Sequence, residues 1–196
     1  MAKRLYQHFR RWAGAPRSPQ SRKTGRFCMR SSPVKRRVFV SYHHRGDQRY
    51  YDAFTQTFGG IYDVVEDHSL DREVDSDNVD YVMRVIRQEY ITGSSCTIVL
   101  CGAQTSGRKH VDMEIKGTLD AEHGLIGVQL PSLPIINNRV SVPERLHDNI
   151  ETGYAVWIRW EAIIDNPTHL SAVIEDANRR DKRLIRNSRP IRIRNA

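Results

Sequence analysis

Two nearly continuous apolar runs constrain this chain most: Val38-Phe39-Val40 and Cys96-Thr97-Ile98-Val99-Leu100-Cys101. Neither alternates with period two, so neither suits a sheet with one wet face. Strands apolar on both sides are the mark of a parallel sheet covered above and below. Each run is followed by a polar turn and then by apolar residues at helical spacing. After the first, residues 47–58 place Tyr51, Phe54 and Phe58 on one side of a helix. After the second, Val111, Ile115, Thr118 and Leu119 do the same.

The pattern continues along the chain. A second short strand is predicted over 62–65. A helix follows over 77–91, with Asp77 as N-cap and Val79, Val82, Met83, Ile86 and Tyr90 facing inward. A fourth strand is expected over 125–130, then a long Pro- and Asn-rich loop over 131–143. The remainder reads as a short helix over 144–150, a fifth strand over 155–158 and a closing helix over 168–179. Alternating β and α elements predict an α/β domain built on a five-stranded parallel sheet with helices on both faces. The expected strand order is the flavodoxin-like 2-1-3-4-5, with a ligand crevice where the order reverses between the first and third strands.

The net charge of +8 is unevenly placed. Thirteen basic residues precede Asp47, the first acid, which leaves 18 basic against 23 acidic residues after it, a net of −5. Basicity therefore belongs to the beginning of the chain, and no nucleic-acid role is expected for the core domain. Residues 1–36 read as a basic, disordered tail, 37–185 as the folded domain, and 186–196 as a second basic tail. For the first of these, a solvated tail, a translation start at Met29, an organelle leader and a nucleic-acid or anionic-lipid contact are all compatible with the residues. No apolar run is long enough to span a bilayer, so a soluble, cytoplasmic protein is expected. Cys28, Cys96 and Cys101 are too few for a disulfide framework. Cys96 and Cys101 are five residues apart on a strand and so point to opposite faces; no metal site is expected.

Three loops should reach the crevice. Ser41, Tyr42, His43 and His44 follow the first strand. Asp67 and Asp71 follow the second; Asp67 is either a ribose-binding acid or, like Asp71, a solvated turn acid. Gly102-Ala103-Gln104-Thr105-Ser106-Gly107-Arg108-Lys109 follows the third and comes close to a phosphate-binding P-loop, but has Arg108 where the lysine belongs and no following Ser or Thr for magnesium. Triphosphate hydrolysis is thereby disfavoured, while the loop and helix start still suit a pyrophosphate. Glu114, placed about one turn into that helix, is either an acid aimed at the crevice or a first-turn carboxylate that suits the helix dipole. A serine nucleophile lacks its elbow motif. A response-regulator site lacks the aspartate expected at the end of the third strand, where Cys101-Gly102 stand.

From Arg37 to about Asp120 the chain resembles the bacterial TIR-like proteins, including the sensor component of Thoeris antiphage systems. The matching stretches are Arg37-Val38-Phe39-Val40-Ser41-Tyr42-His43, then Ser94 to Thr105, then Arg108-Lys109-His110-Val111-Asp112-Met113-Glu114-Ile115, and Gly124-Leu125-Ile126-Gly127-Val128 beyond them. The resemblance implies a flavodoxin-like fold and cleavage of NAD+ at the nicotinamide–ribose bond. NAD+ would be a substrate rather than a resident cofactor, and Glu114 the essential carboxylate. Ser41, Tyr42, His43, Asp67, Gly102, Thr105 and His110 are the expected substrate-binding positions. The family usually carries Trp where this chain has His110, which implies a more open crevice. The expected surroundings are a phage-derived trigger, self-association and a downstream effector reached through a nucleotide signal of the cyclic ADP-ribose type. A catalytically silent interaction module is the rival reading. Glu114, taken to lie near the surface, should tolerate replacement by Gln without loss of fold.

Overall fold

The computed structural model describes residues 35–66 and 78–196. Five parallel strands form its centre: β1 (Arg36–Ser41), β2 (Tyr62–Glu66), β3 (Cys96–Cys101), β4 (Gly124–Gln129) and, after a small hairpin, β7 (Val156–Arg159). Their order is β2-β1-β3-β4-β7, which is 2-1-3-4-5 when only the sheet strands are numbered. The reversal falls between β1 and β3, where Phe39 pairs with Thr97 and Ser41 with Val99.

Side-chain alternation sorts the core into two layers, because successive strand residues face opposite sides. Val38, Val40, Ile98, Leu100, Ile126 and Val128 face α1 (His44–Phe58) and α6 (Pro167–Arg179), meeting Tyr51, Phe54, Phe58, Leu170 and Ile174. On the other side Val99, Cys101 and Leu125 pack under Val111, Ile115 and Leu119 of α3 (Lys109–Asp120). Phe39 meets Met113 and the Val82, Ile86 and Tyr90 side chains beside it. Cys96 and Cys101 fall in opposite layers, fully buried; burial pushes both thiols up, Cys96 to about 12. They are packing residues.

Most boundaries lie within a residue or two of those expected, and the departures have local causes. The first helix begins at His44, three residues early, because the amides of Gly46 and Asp47 already turn onto the His43 carbonyl. The N-cap of α2 (Val79–Val85) is Asn78, whose side chain accepts from the Tyr81 amide at 3.0 Å; Asp77 lies outside the described residues. That helix passes into a π-turn over Ile86–Ile91, closed when the Thr92 amide and hydroxyl both donate to the Arg87 carbonyl. The expected long loop after β4 contains the hairpin β5 (Ile135–Ile136) and β6 (Arg139–Val140). Asn137 and Asn138 turn it with φ of 50° and 59°, the left-handed pair that a two-residue hairpin needs. α4 (Glu144–Glu151) follows, then β7. A further one-turn helix, α5 (Trp160–Ile164), sits between β7 and α6 and buries Trp160 edge-on to Tyr50.

Residues 186–196 run across α4 and α3. Arg145 of α4 is fully buried and holds them: its guanidinium donates to Asn187 Oδ1 at 2.8 Å and to the Arg189 and Pro190 carbonyls at 3.1 Å each. Asn149 adds a pair of bonds to the Arg186 backbone. The Arg189 guanidinium, half-exposed, pairs with Glu144 and Asp148. Among the described residues no helix is long and apolar enough to cross a membrane.

Candidate functional site

The carboxyl ends of β1, β3 and β4 converge at the switch point, and the residue at their centre is one that sequence reasoning read only as a helix start. Asp47, in the first turn of α1, is 2% exposed. Its Oδ2 accepts from the Thr105 hydroxyl at 3.0 Å and its Oδ1 from the Ser132 hydroxyl at 3.3 Å. Thr105 in turn accepts the Gly102 amide at 2.9 Å. Gly102 must be glycine here: a Cβ on it would lie 2.0 Å from Asp47 Oδ1. Burial raises the Asp47 carboxyl above its ordinary value, opposed by the Thr105 and Ser132 hydroxyls and by the charges of His43 and Arg49. The signal that could have found it was the Gly102 side of the near-P-loop, whose missing side chain leaves room for a partner.

The expected crevice residues divide between this cluster and the two core layers. His43, 7% exposed, brings its Nε2 to 3.2 Å from Gln104 Oε1, and Arg108 donates to the same oxygen at 2.8 Å. Gly102 and Thr105 belong to the cluster, but the Thr105 hydroxyl is fully buried and engaged with Asp47 and Gly102. Tyr42 belongs to the α1 layer instead. Its ring stacks on Tyr51 and His44, and its hydroxyl donates to Gln48 at 2.9 Å. Ser41 is fully buried, its Oγ without a hydrogen-bond partner among the described residues, and alternation turns it toward the α3 layer with Phe39. Asp67 and Asp71 lie outside the described residues.

Glu114 differs from expectation in two ways. It is the sixth residue of α3, so the first-turn acid of that helix is Asp112, and a carboxylate a turn further in gains little from the dipole. It is also 2% exposed rather than near the surface. One turn beyond it, Thr118 donates to the Glu114 carbonyl at 2.8 Å, and the Thr118 and Thr97 hydroxyls lie 2.7 Å apart. A helix rises 1.5 Å per residue and a strand about 3.3 Å, so one turn back from Thr97 along β3 is the level of Val99. Val99 pairs with Ser41. Glu114 and Ser41 therefore share a face and a level of the switch point.

The start of α3, expected to face a pyrophosphate, is occupied from within. Asn195 Oδ1 accepts the Lys109 amide at 2.9 Å, and the Ala196 amide donates to the Gly107 carbonyl at 3.0 Å. Half-buried His110 is the second residue of that helix. Asp112 turns away from the switch point: Arg145 holds both its oxygens, at 3.0 and 3.2 Å, and the Arg192 amide adds a third bond at 2.9 Å. A cavity of about 370 Å³ lies there, lined by Ser106, Asp112, Glu144, Arg189 and Arg192 among others. His147, Asp148 and Glu151 gather on the exposed side of α4 with metal-ligand spacing, but Asp148 already carries the Arg189 guanidinium, whose charge opposes a cation.

Residues 39–134 match the family model described as Thoeris protein ThsB, TIR-like domain. That stretch runs from β1 to the loop beyond β4 and includes the whole switch point. Over that stretch the chain is similar to the Thoeris ThsB TIR-like domain. No curated protein matches it. Within the TIR-like domain, β1, β3 and the start of α3 carry the residues from which the resemblance was read, and the sheet order is the one the resemblance implied. The domain thus combines a buried glutamate and serine on one side of the sheet with an aspartate-centred loop cluster at its edge.

Proposed function

We propose that this Thoeris TIR-like protein cleaves NAD+ at the nicotinamide–ribose bond and releases a nucleotide signal of the cyclic ADP-ribose type during antiphage defence in the cytoplasm. The observation that carries the reading is the position of Glu114: a carboxylate on the sheet-facing side of α3, level with Ser41 at the switch point, within a TIR-like domain. Cleavage leaves oxocarbenium character on the ribose, and a carboxylate in a dry site is the strongest electrostatic partner for it. Nicotinamide departs neutral, so no second acid is needed to protonate the leaving group, unlike the two carboxylates of ordinary glycosidases. The near-P-loop backbone and the start of α3 suit the pyrophosphate once Asn195 has moved aside. A phage-derived trigger and self-association would supply that opening, and an effector would read the product.

The test is NAD+ consumption by the purified chain incubated with extract of phage-infected bacteria. Glu114→Gln, an isosteric change, should keep the fold and lose activity by about 10²- to 10³-fold, the usual cost of one transition-state electrostatic contact. Retained turnover would remove Glu114 from the chemistry.

A second reading is a catalytically silent TIR-like interaction module. The burial of Glu114 and the Asn195 contact on the Lys109 amide favour it, because the first encloses the carboxylate and the second occupies the helix start expected to face a pyrophosphate. Under that reading NAD+ neither binds nor disappears at any stage of infection, while phage protection persists.

A further inference from the structure

Asp47 joins three segments at this edge: the start of α1, the loop from β3 to α3, and the loop after β4. Its two carboxylate oxygens each take one hydroxyl, and no lysine or arginine is hydrogen-bonded to it among the described residues. For stability alone this is a poor arrangement. Hydroxyl donors offset only part of the desolvation of a buried charge, and an amide of the same shape would cost less. Gly102 is shaped to admit the carboxylate, and Thr105 passes the contact on by accepting the Gly102 amide. His43 lies close enough to Asp47 to act on its charge and itself reaches Gln104 in the same loop. One side chain thereby sets the path of Gly102–Arg108, the loop that leads into α3 and Glu114.

We infer that Asp47 is a positioning residue for NAD+: through Thr105 and Ser132 it holds the β3–α3 and post-β4 loops in the shape that receives the dinucleotide. This rests on the NAD+ reading above. Both Asp47 oxygens are taken up by the Thr105 and Ser132 hydroxyls of those loops, so its effect passes through the loops. Removing it should therefore weaken capture of NAD+ more than it slows the bond-breaking step.

Four variants test this in the full chain: Asp47→Ala, Asp47→Asn, Thr105→Val and Thr105→Ser. The readouts are KM and kcat for NAD+ after activation with infected-cell extract, and amide hydrogen exchange across Gly102–Arg108 and Leu130–Leu133. Asp47→Ala and Thr105→Val should each raise KM by about tenfold, one good hydrogen bond to a charged group, with a smaller change in kcat. Both should speed exchange of the Gly102 amide. Thr105→Ser, which keeps the hydroxyl, should restore both readouts, and Asp47→Asn, which keeps one acceptor, should fall between. Unchanged KM and unchanged exchange in Asp47→Ala would overturn the inference. So would a kcat loss as large as that of Glu114→Gln with KM intact, which would make Asp47 a chemical participant. If the parent neither binds nor cleaves NAD+, the function proposed above fails and with it the role toward NAD+. The exchange data then show separately whether Asp47 holds the loops.

Discussion

Asp47 and Asp112 are both buried aspartates near the two ends of the β3–α3 loop, and they are satisfied by opposite means. Asp112 faces the fully buried guanidinium of Arg145 in a two-point contact and takes a backbone amide besides. Asp47 has two hydroxyls, and burial raises its carboxyl. The first arrangement compensates charge with charge in fixed fork geometry. The second leaves the charge only partly offset, so it is the one that can be rearranged at small expense. The contrast assigns anchoring to the Arg145 side, where the final residues of the chain are pinned, and adjustability to the switch-point side, where the proposed ligand enters.

The largest effect is expected from breaking the anchor. Arg145→Ala strands the Asp112 charge and removes the donor from Asn187, Arg189 and Pro190. A cost of about 3–5 kcal/mol follows from removing one partner of a buried ion pair. Thermal unfolding should show it as a lower Tm, and limited proteolysis as new cleavage within 186–196. A loss under about 1 kcal/mol would mean that water reaches the pair, and the contrast with Asp47 would vanish.

Gly102→Ala should come next. The new methyl overlaps Asp47 Oδ1, and overpacking of this kind costs about 1–3 kcal/mol. The cost should shrink when Asp47→Ala is combined with it, because the atom in the way is gone; a double-mutant cycle reads that coupling directly. Additive losses would place the clash elsewhere.

The smallest effect concerns pH. Asp47 has a folded-state value raised above its unfolded one, so its contribution is most favourable below the unfolded value near 3.8 and is lost as pH rises through the folded value. Asp120 and Asp148 are lowered and run the other way, losing their contribution on acidification. For Asp120, burial works upward and is outweighed by Arg87 and Lys116; for Asp148, the Arg189 hydrogen bond is the main cause. Asp47→Asn should therefore gain most over the parent at neutral pH, with the difference in Tm shrinking as pH falls toward 4. The groups acting on Asp47 are Thr105, Ser132, His43 and Arg49, so the same measurement in a His43→Gln background checks that histidine protonation is not the source. A difference that grows on acidification would reverse the sign and end the contrast.

Much of this fold was legible along the chain. The runs at Val38–Val40 and Cys96–Cys101 carry no alternation because both faces are covered, and Tyr51, Phe54 and Phe58 repeat at the helical period because one face of α1 is. Right-handed crossovers narrow the strand orders such units can take, and the resemblance implies the observed 2-1-3-4-5 among them. The Asn137-Asn138 hairpin reads as loop in the chain, since four strand residues leave almost no periodicity.

What the residues alone determined, then, is local: which segments are strand or helix, and that Glu114, His43 and the Gly102–Lys109 loop belong near one sheet edge. Only the tertiary structure decided which groups meet. Asp47 and Thr105 are 58 positions apart, and Arg145 reaches Asp112 across 33. Such pairings depend on the register of β1 against β3 and on the path of the final residues, and neither leaves a periodic trace in sequence. Whether a carboxylate is exposed depends on the same facts, which is why Glu114 reads as a surface acid in the chain and lies buried in the fold.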